Sequence, residues 1–213
     1  MRRVGKLDAA LADFNQSLAA DPNNAATLFA RGVTWQRKGD NIRAINDYDR
    51  TLAITPDAAG ALVNRGLAWR MLGDAPRALA DLDKALKLTP DDAAVLVLRG
   101  GVWEMLGEPA RALADFERAV ALRPDYQEAL VDQALARMQL GDMARAAGDL
   151  DRALKAQPKS PQALYARGVA RMSLGRLAEG SADIDAATAL DPQIGAAFQD
   201  FTPGPPRLSE GGQ

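Results

Sequence analysis

The phrase RGVTWQRKGD at residues 31–40 returns as RGLAWRMLGD at 65–74 and as RGGVWEMLGE at 99–108, 34 residues apart each time. A period of that length marks a chain made of one supersecondary unit copied end to end, since so short a unit cannot hide its own apolar face and must lean on its neighbours. Superposing the chain on itself in steps of 34 brings out whole columns. Leucine recurs at Leu28, Leu62, Leu96, Leu130 and Leu164, with Phe198 in the next place. Behind it stand Gly32, Gly66, Gly100, Ala134 and Gly168, and then Trp35, Trp69 and Trp103, replaced by Arg137 and Arg171. Glycine recurs from Gly39 to Gly175, alanine or glycine from Ala44 to Gly180, and a bulky residue at Tyr48, Leu82, Phe116, Leu150 and Ile184. Each unit closes on proline, from Pro22 to Pro192.

Spacings of three and four put these columns on one face of a helix, so each unit holds two amphipathic helices. In the first full unit the pattern predicts them near residues 26–38 and 42–54. Gly39 sits where the turn between them needs positive φ, and Pro56 stops the second helix. Pro76 and Pro109 fall in the first turn of a second helix, where proline is tolerated. Gly32 facing Ala44 and Thr51 lets the two backbones approach, and a bulkier residue at Ala78 is expected to overpack that contact at a cost of about 1–3 kcal/mol.

The composition narrows the chemistry. With neither histidine nor cysteine, the chain has no disulfide, no thiolate and neither of the commonest zinc ligands. Its serines have no imidazole to activate them, and its carboxylates are spread at the repeat period rather than gathered in pairs. No catalytic residue, cofactor or metal is therefore expected. A net charge of −2 argues against nucleic acid as a partner, and no apolar run is long enough to insert into a membrane. The basic start MRRVGKLDAALADF is broken by Asp8 and Asp13, so it does not read as a signal peptide and a cytoplasmic location is the default expectation.

The columns Leu28, Gly32, Trp35, Ala44, Tyr48 and Pro56, with their equivalents through Pro192, resemble the tetratricopeptide repeat. The resemblance implies an all-α fold, an α-solenoid of stacked antiparallel helix pairs wound as a right-handed superhelix, whose first helices line a concave groove for a peptide or a partner's helix. Five full repeats are expected over 25–194, preceded by a partial one, second helix only, over 1–24. A short capping helix is expected over 195–202, and a disordered tail rich in proline and glycine over 203–213. The sequence departs from the family pattern where arginine replaces the usual leucine at 31, 65, 99 and 167, and where Arg137 and Arg171 replace the aromatic. The latter change predicts looser packing in the last two units.

With the packing columns removed, the first helices leave Phe29, Val63, Val97, Val131 and Tyr165 in one row and Val33, Leu67, Leu135 and Val169 one turn later. Met71, Met105, Met138 and Met172 lie near the far end. These thirteen residues either pack between repeats or form a largely apolar binding groove, in which methionine adapts to several partners. The rows lack the Lys, Arg and Asn with which relatives clamp a C-terminal carboxylate, so no such clamp is expected. A second constellation pairs Arg31, Arg65, Arg99 and Arg167 with Asp47, Asp81, Asp115, Asp149 and Asp183, read as a structural ion-pair ladder. The cationic columns at Arg43 and Arg50 read as a solvated outer face.

The expected function is a non-catalytic scaffold for protein–protein interaction. The alternatives are a structural or self-associating spacer, or an accessory segment of a larger protein. Leu11, Phe14 and Leu18 lack the first helix that should cover them, which leaves either a fragment or a homo-oligomer formed through that N-terminal face.

Overall fold

The computed structural model describes the backbone of residues 2–201 and the side chains of residues 6–198. The tail anticipated over 203–213 lies outside the described residues. Among the described residues there are eleven α-helices and no strand. In chain order they are α1 (Arg2–Ala20), α2 (Ala25–Arg37), α3 (Asn41–Ile54), α4 (Ala59–Met71), α5 (Ala75–Leu88), α6 (Ala93–Met105), α7 (Pro109–Leu122), α8 (Gln127–Gln139), α9 (Met143–Ala156), α10 (Pro161–Ser173) and α11 (Leu177–Leu190). A short 3-10 helix, Ile194–Phe201, follows. Every first helix from α2 to α10 has 13 residues and every second helix from α3 to α11 has 14, so the column residues keep one register throughout.

Local chemistry sets the boundaries. Between paired helices, Gly39, Gly73, Gly141 and Gly175 take φ of +80 to +83° and Gly107 takes +70°, a region where a Cβ meets the next carbonyl. Asp40, Asp74 and Asp142 then accept from the N–H groups of Arg43, Arg77 and Arg145, capping α3, α5 and α9. Each second helix ends on an extended residue that precedes a proline, as at Thr55 (φ −129°) before Pro56 and Thr89 (φ −131°) before Pro90.

The chain divides into two compact units at Leu106 and Gly107, so the division falls between α6 and α7, inside the third repeat. In the first unit each helix from α1 to α6 packs on the next, and among the first helices α2 also touches α4 and α4 touches α6. The second unit repeats this from α7 to α11, with α8 touching α10 and the 3-10 helix laid on α10 and α11. Each unit is thus an all-α solenoid of helix pairs stacked in sequence order. Leu28, Leu62, Tyr48 and Leu82 form the core of the first unit, and Leu130, Leu150 and Ala153 are equally buried in the second.

Glycine sets how closely paired helices approach. A Cβ on Gly32 would lie 2.7 Å from the ring of Tyr48, and one on Gly168 would lie 2.8 Å from the carbonyl of Gly180. The last pair is therefore closely packed, contrary to the looseness expected from losing its aromatic. The helix expected over 195–202 is a 3-10 helix with a break at Phe198 (φ −117°). Phe198 is buried, its ring 4.9 Å from that of Tyr165. The side chain of Phe201, which falls within that expected helix, lies outside the described residues.

The outer cationic columns are not simply solvated. Arg50, Lys84 and Arg152 donate to the carbonyls of Pro22, Pro56 and Pro124 at 2.5, 2.6 and 3.1 Å, so α3, α5 and α9 each grip the loop that precedes their own repeat. Arg43 and Arg77 lie over the rings of Trp35 and Trp69 at 4.5 and 4.6 Å.

Candidate functional site: the first-helix face and the ion-pair ladder

Two constellations follow from the stacking. The first is the ladder, built where a first helix crosses its own second helix and the second helix of the preceding repeat. Arg31 Nε and Nη2 donate to Asp47 at 2.8 and 2.6 Å, and Arg65 and Arg167 engage Asp81 and Asp183 with the same two distances. The third nitrogen reaches backward, to Asn15 at 2.8 Å from Arg31, Asp49 at 2.6 Å from Arg65, Asp83 at 2.7 Å from Arg99 and Asp151 at 2.8 Å from Arg167. Asp47, Asp81, Asp115, Asp149 and Asp183 are all buried, and Asp115 too is partnered. The planar guanidinium makes this three-way contact possible, since its donors form a rigid fork. Hydrogen bonds to the aspartates push the Arg31, Arg65 and Arg167 pKa values up, against the opposing pull of burial.

The fourth repeat lacks the ladder arginine, and the replacement is instructive. Gln133 Nε2 donates to Asp149 at 2.9 Å, and Arg137, standing in the tryptophan column, supplies the charge at 2.5 Å while its other nitrogen reaches Glu117 at 2.9 Å. Arg171 does the same in the fifth repeat, binding Asp183 at 2.7 Å and Asp151 at 3.1 Å. The arginines that displace the aromatic thus join the ladder. Burial nonetheless raises the Asp149 pKa, with Gln133 and Arg137 opposing it.

The second constellation is the face of the first helices. In the first unit Phe29, Val33, Val63 and Leu67 are half-buried, while Met71 and Met105 are exposed. Phe29 packs on Tyr48 with ring centroids 5.9 Å apart and passes beside Gly60, where a Cβ would make ordinary contact with its ring at 3.5 Å. Phe29, Ala26, Thr51, Thr55 and Gly60 line an open notch of about 280 Å³. In the second unit Leu135, Tyr165 and Met172 are half-buried.

Four of the thirteen groove candidates are not available to a partner. Val97, Val131, Met138 and Val169 are 3–5% exposed, so their apolar surface is spent on packing. Conversely, the face carries polar residues that the apolar rows pass over. The column of Met138 and Met172 reads Gln36, Arg70 and Glu104 in the first three repeats. Gln36 accepts from the Tyr48 hydroxyl at 2.9 Å and donates to the Asn64 carbonyl at 3.3 Å, which links α2 to α4. Arg70 lies over Gly101, where a Cβ would come within 2.8 Å of Nη1. Burial pushes the Glu104 carboxyl up to about 7, and the charge of Arg70 opposes that rise. Arg70 and Asn64 are the residue types a carboxylate clamp uses, but Asn64 Nδ2 is tied to the Gly60 carbonyl at 2.7 Å and Arg70 already has Glu104 as a counter-charge. The spacing of 34 within that column was the signal for all three residues.

No described helix is long and apolar enough to cross a membrane. Two tetratricopeptide repeat profiles match the chain, one over residues 33–102 and the other over residues 2–59 and 131–193. No curated protein sequence matches. Among solved structures, YrrB, a TPR protein with an unusual peptide-binding site, is similar with 20% identity and a TM-score of 0.71, covering 88% of this chain and 96% of its own. A MamA segment from Desulfovibrio magneticus has 20% identity and a TM-score of 0.73, covering 79% and 96% respectively. A tetratricopeptide repeat protein from Parabacteroides merdae has 21% identity and a TM-score of 0.68, covering 94% and 79%. At such identities the likeness concerns the fold alone.

Proposed function

Because the chain belongs to the tetratricopeptide repeat family, we propose that it is a non-catalytic protein–protein interaction scaffold whose ligand, a peptide or a partner's helix, lies on the first-helix face of the unit ending at Leu106. The observation that carries this reading is the sequence of surfaces along α2, α4 and α6. Half-buried Phe29, Val33, Val63 and Leu67 hold a fixed apolar floor, and Met71, 64% exposed, and Met105, 50% exposed, stand beside it as adaptable contacts. Gln36, Arg70 and Glu104 add polar groups at one edge, which fix direction and register in a bound chain. The peptide-binding site named for YrrB is in keeping with such use of the fold.

The ladder serves stacking in this proposal. Arg31, Arg65 and Arg167 are each committed to two acceptors rather than offered to an anionic ligand, and each ties a first helix to the second helices on both sides.

Capture from native extract tests the assignment, comparing the natural chain with Val63→Asp, Leu67→Asp and the control Lys87→Asp on the exposed side of α5. The proposal expects loss of the same bound protein with the first two variants, by about tenfold or more, with helicity unchanged and the control behaving normally. Retention of the bound protein by both face variants would refute it.

A further inference from the structure

The register of the ladder points to a second binding surface, on the outer face of α1. In the pairs α2–α3, α4–α5 and α10–α11 a first helix lays leucine, arginine and glycine, spaced as Leu-x-x-Arg-Gly, onto a fixed set on the second helix. For α2 on α3 the receiving set is Ala44, Asp47, Tyr48 and Thr51, all buried. For α4 on α5 it is Ala78, Asp81, Leu82 and Ala85, likewise buried. On α1 the same columns read Ala10, Asp13, Phe14 and Ser17. There Ala10 and Phe14 are only half-buried, Asp13 and Ser17 are exposed, and Asp13 has no ion pair or hydrogen bond among the described residues. The side of α1 that meets α2 is already used, through buried Leu11 and Leu18 and a Lys38–Asp8 ion pair.

We infer that this face of α1 receives an amphipathic helix of a separate partner protein, presenting leucine to Ala10 and Phe14, a glycine for close approach, and an arginine to Asp13. Charge complementarity selects this occupant over a plain apolar helix, because Asp47, Asp81 and Asp183 stand in the same column and each holds an arginine bidentately. A second copy of the chain does not supply the helix. Its Leu-x-x-Arg-Gly segments in α2, α4 and α10 are already seated on their own second helices.

The test uses a synthetic peptide of residues 58–73, AAGALVNRGLAWRMLG, whose arginine is the Arg65 of the ladder, titrated as a fluorescent derivative into the full chain. Saturable binding is expected. Arg65→Ala in the peptide or Asp13→Asn in the protein should each weaken it by about tenfold, and the two together no further than either alone. Asp13→Arg should recover binding to the Arg65→Glu peptide. Val63→Asp in the protein, which abolishes capture on the first-helix face, should leave this binding unchanged, so the two surfaces fail or succeed separately. Absence of saturable binding, indifference to Asp13, or loss on Val63→Asp would overturn the inference. So would a dimer in sedimentation that Asp13→Asn dissociates, since the occupant would then be a second copy.

Discussion

At the scale of single residues, buried aspartates decide most of what can be tested. Asp81 is buried and held by two bonds from Arg65, so Asp81→Asn removes the counter-charge of a guanidinium that cannot follow it into solvent. A loss of about 2–4 kcal/mol in urea unfolding is expected, toward the lower end for a broken buried pair because Asp49 remains. Gln133→Arg should act in the opposite direction. The fifth repeat carries arginine at both equivalent positions, and Glu117 stands where Asp151 receives the second bond there, so a gain of about 0.5–1.5 kcal/mol is expected. Glu104 gives a pH dependence. Its folded pKa, about 7, lies above the 4.5 of the unfolded chain, so the folded state binds the extra proton between these values. Stability from this group is complete below pH 4.5 and declines as pH rises through 7, and Glu104→Gln should flatten that decline in thermal melts recorded across the range.

At the scale of helices, the pairing rests on small residues where backbones meet. A Cβ on Gly180 would fall 2.4 Å from Met172 Cγ and 2.8 Å from the Gly168 carbonyl, and the latter cannot rotate away. Gly180→Ala should therefore cost about 1–3 kcal/mol despite its better helix propensity, as measured by chemical denaturation. The helices themselves were legible in the sequence: α2 and α3 start and stop within a residue of the spans drawn from the columns. What the columns hid has physical causes. Arg137 and Arg171 look like lost aromatics when each column is read by itself, whereas a long flexible cation finds its acceptor in another column, twelve positions on. Arg50 and Lys84 bind main-chain carbonyls, which every residue has and no residue type announces. Val97, Val131, Met138 and Val169 match half-buried Val63, Val33 and Met172 in character, so only packing separates the buried residues from those left at the surface.

At the scale of the whole molecule, each unit is a stack whose helices contact their sequence neighbours, and the binding face we propose is the one that stacking leaves over. Periodicity specifies that face without specifying a ligand, because the residues not used in packing are free to differ from repeat to repeat. Gln36, Arg70 and Glu104 occupy one column with three chemistries, whereas the proline that ends each repeat does not vary. The central claim is that a protein partner meets the first helices and not the second. It is tested most directly by placing a photo-crosslinking amino acid at position 63, at position 67 or at position 87, irradiating in native extract, and mapping adducts by mass spectrometry. The account predicts one partner joined at 63 and 67 and absent at 87; adducts formed at 87 alone, or equally at all three, would contradict it.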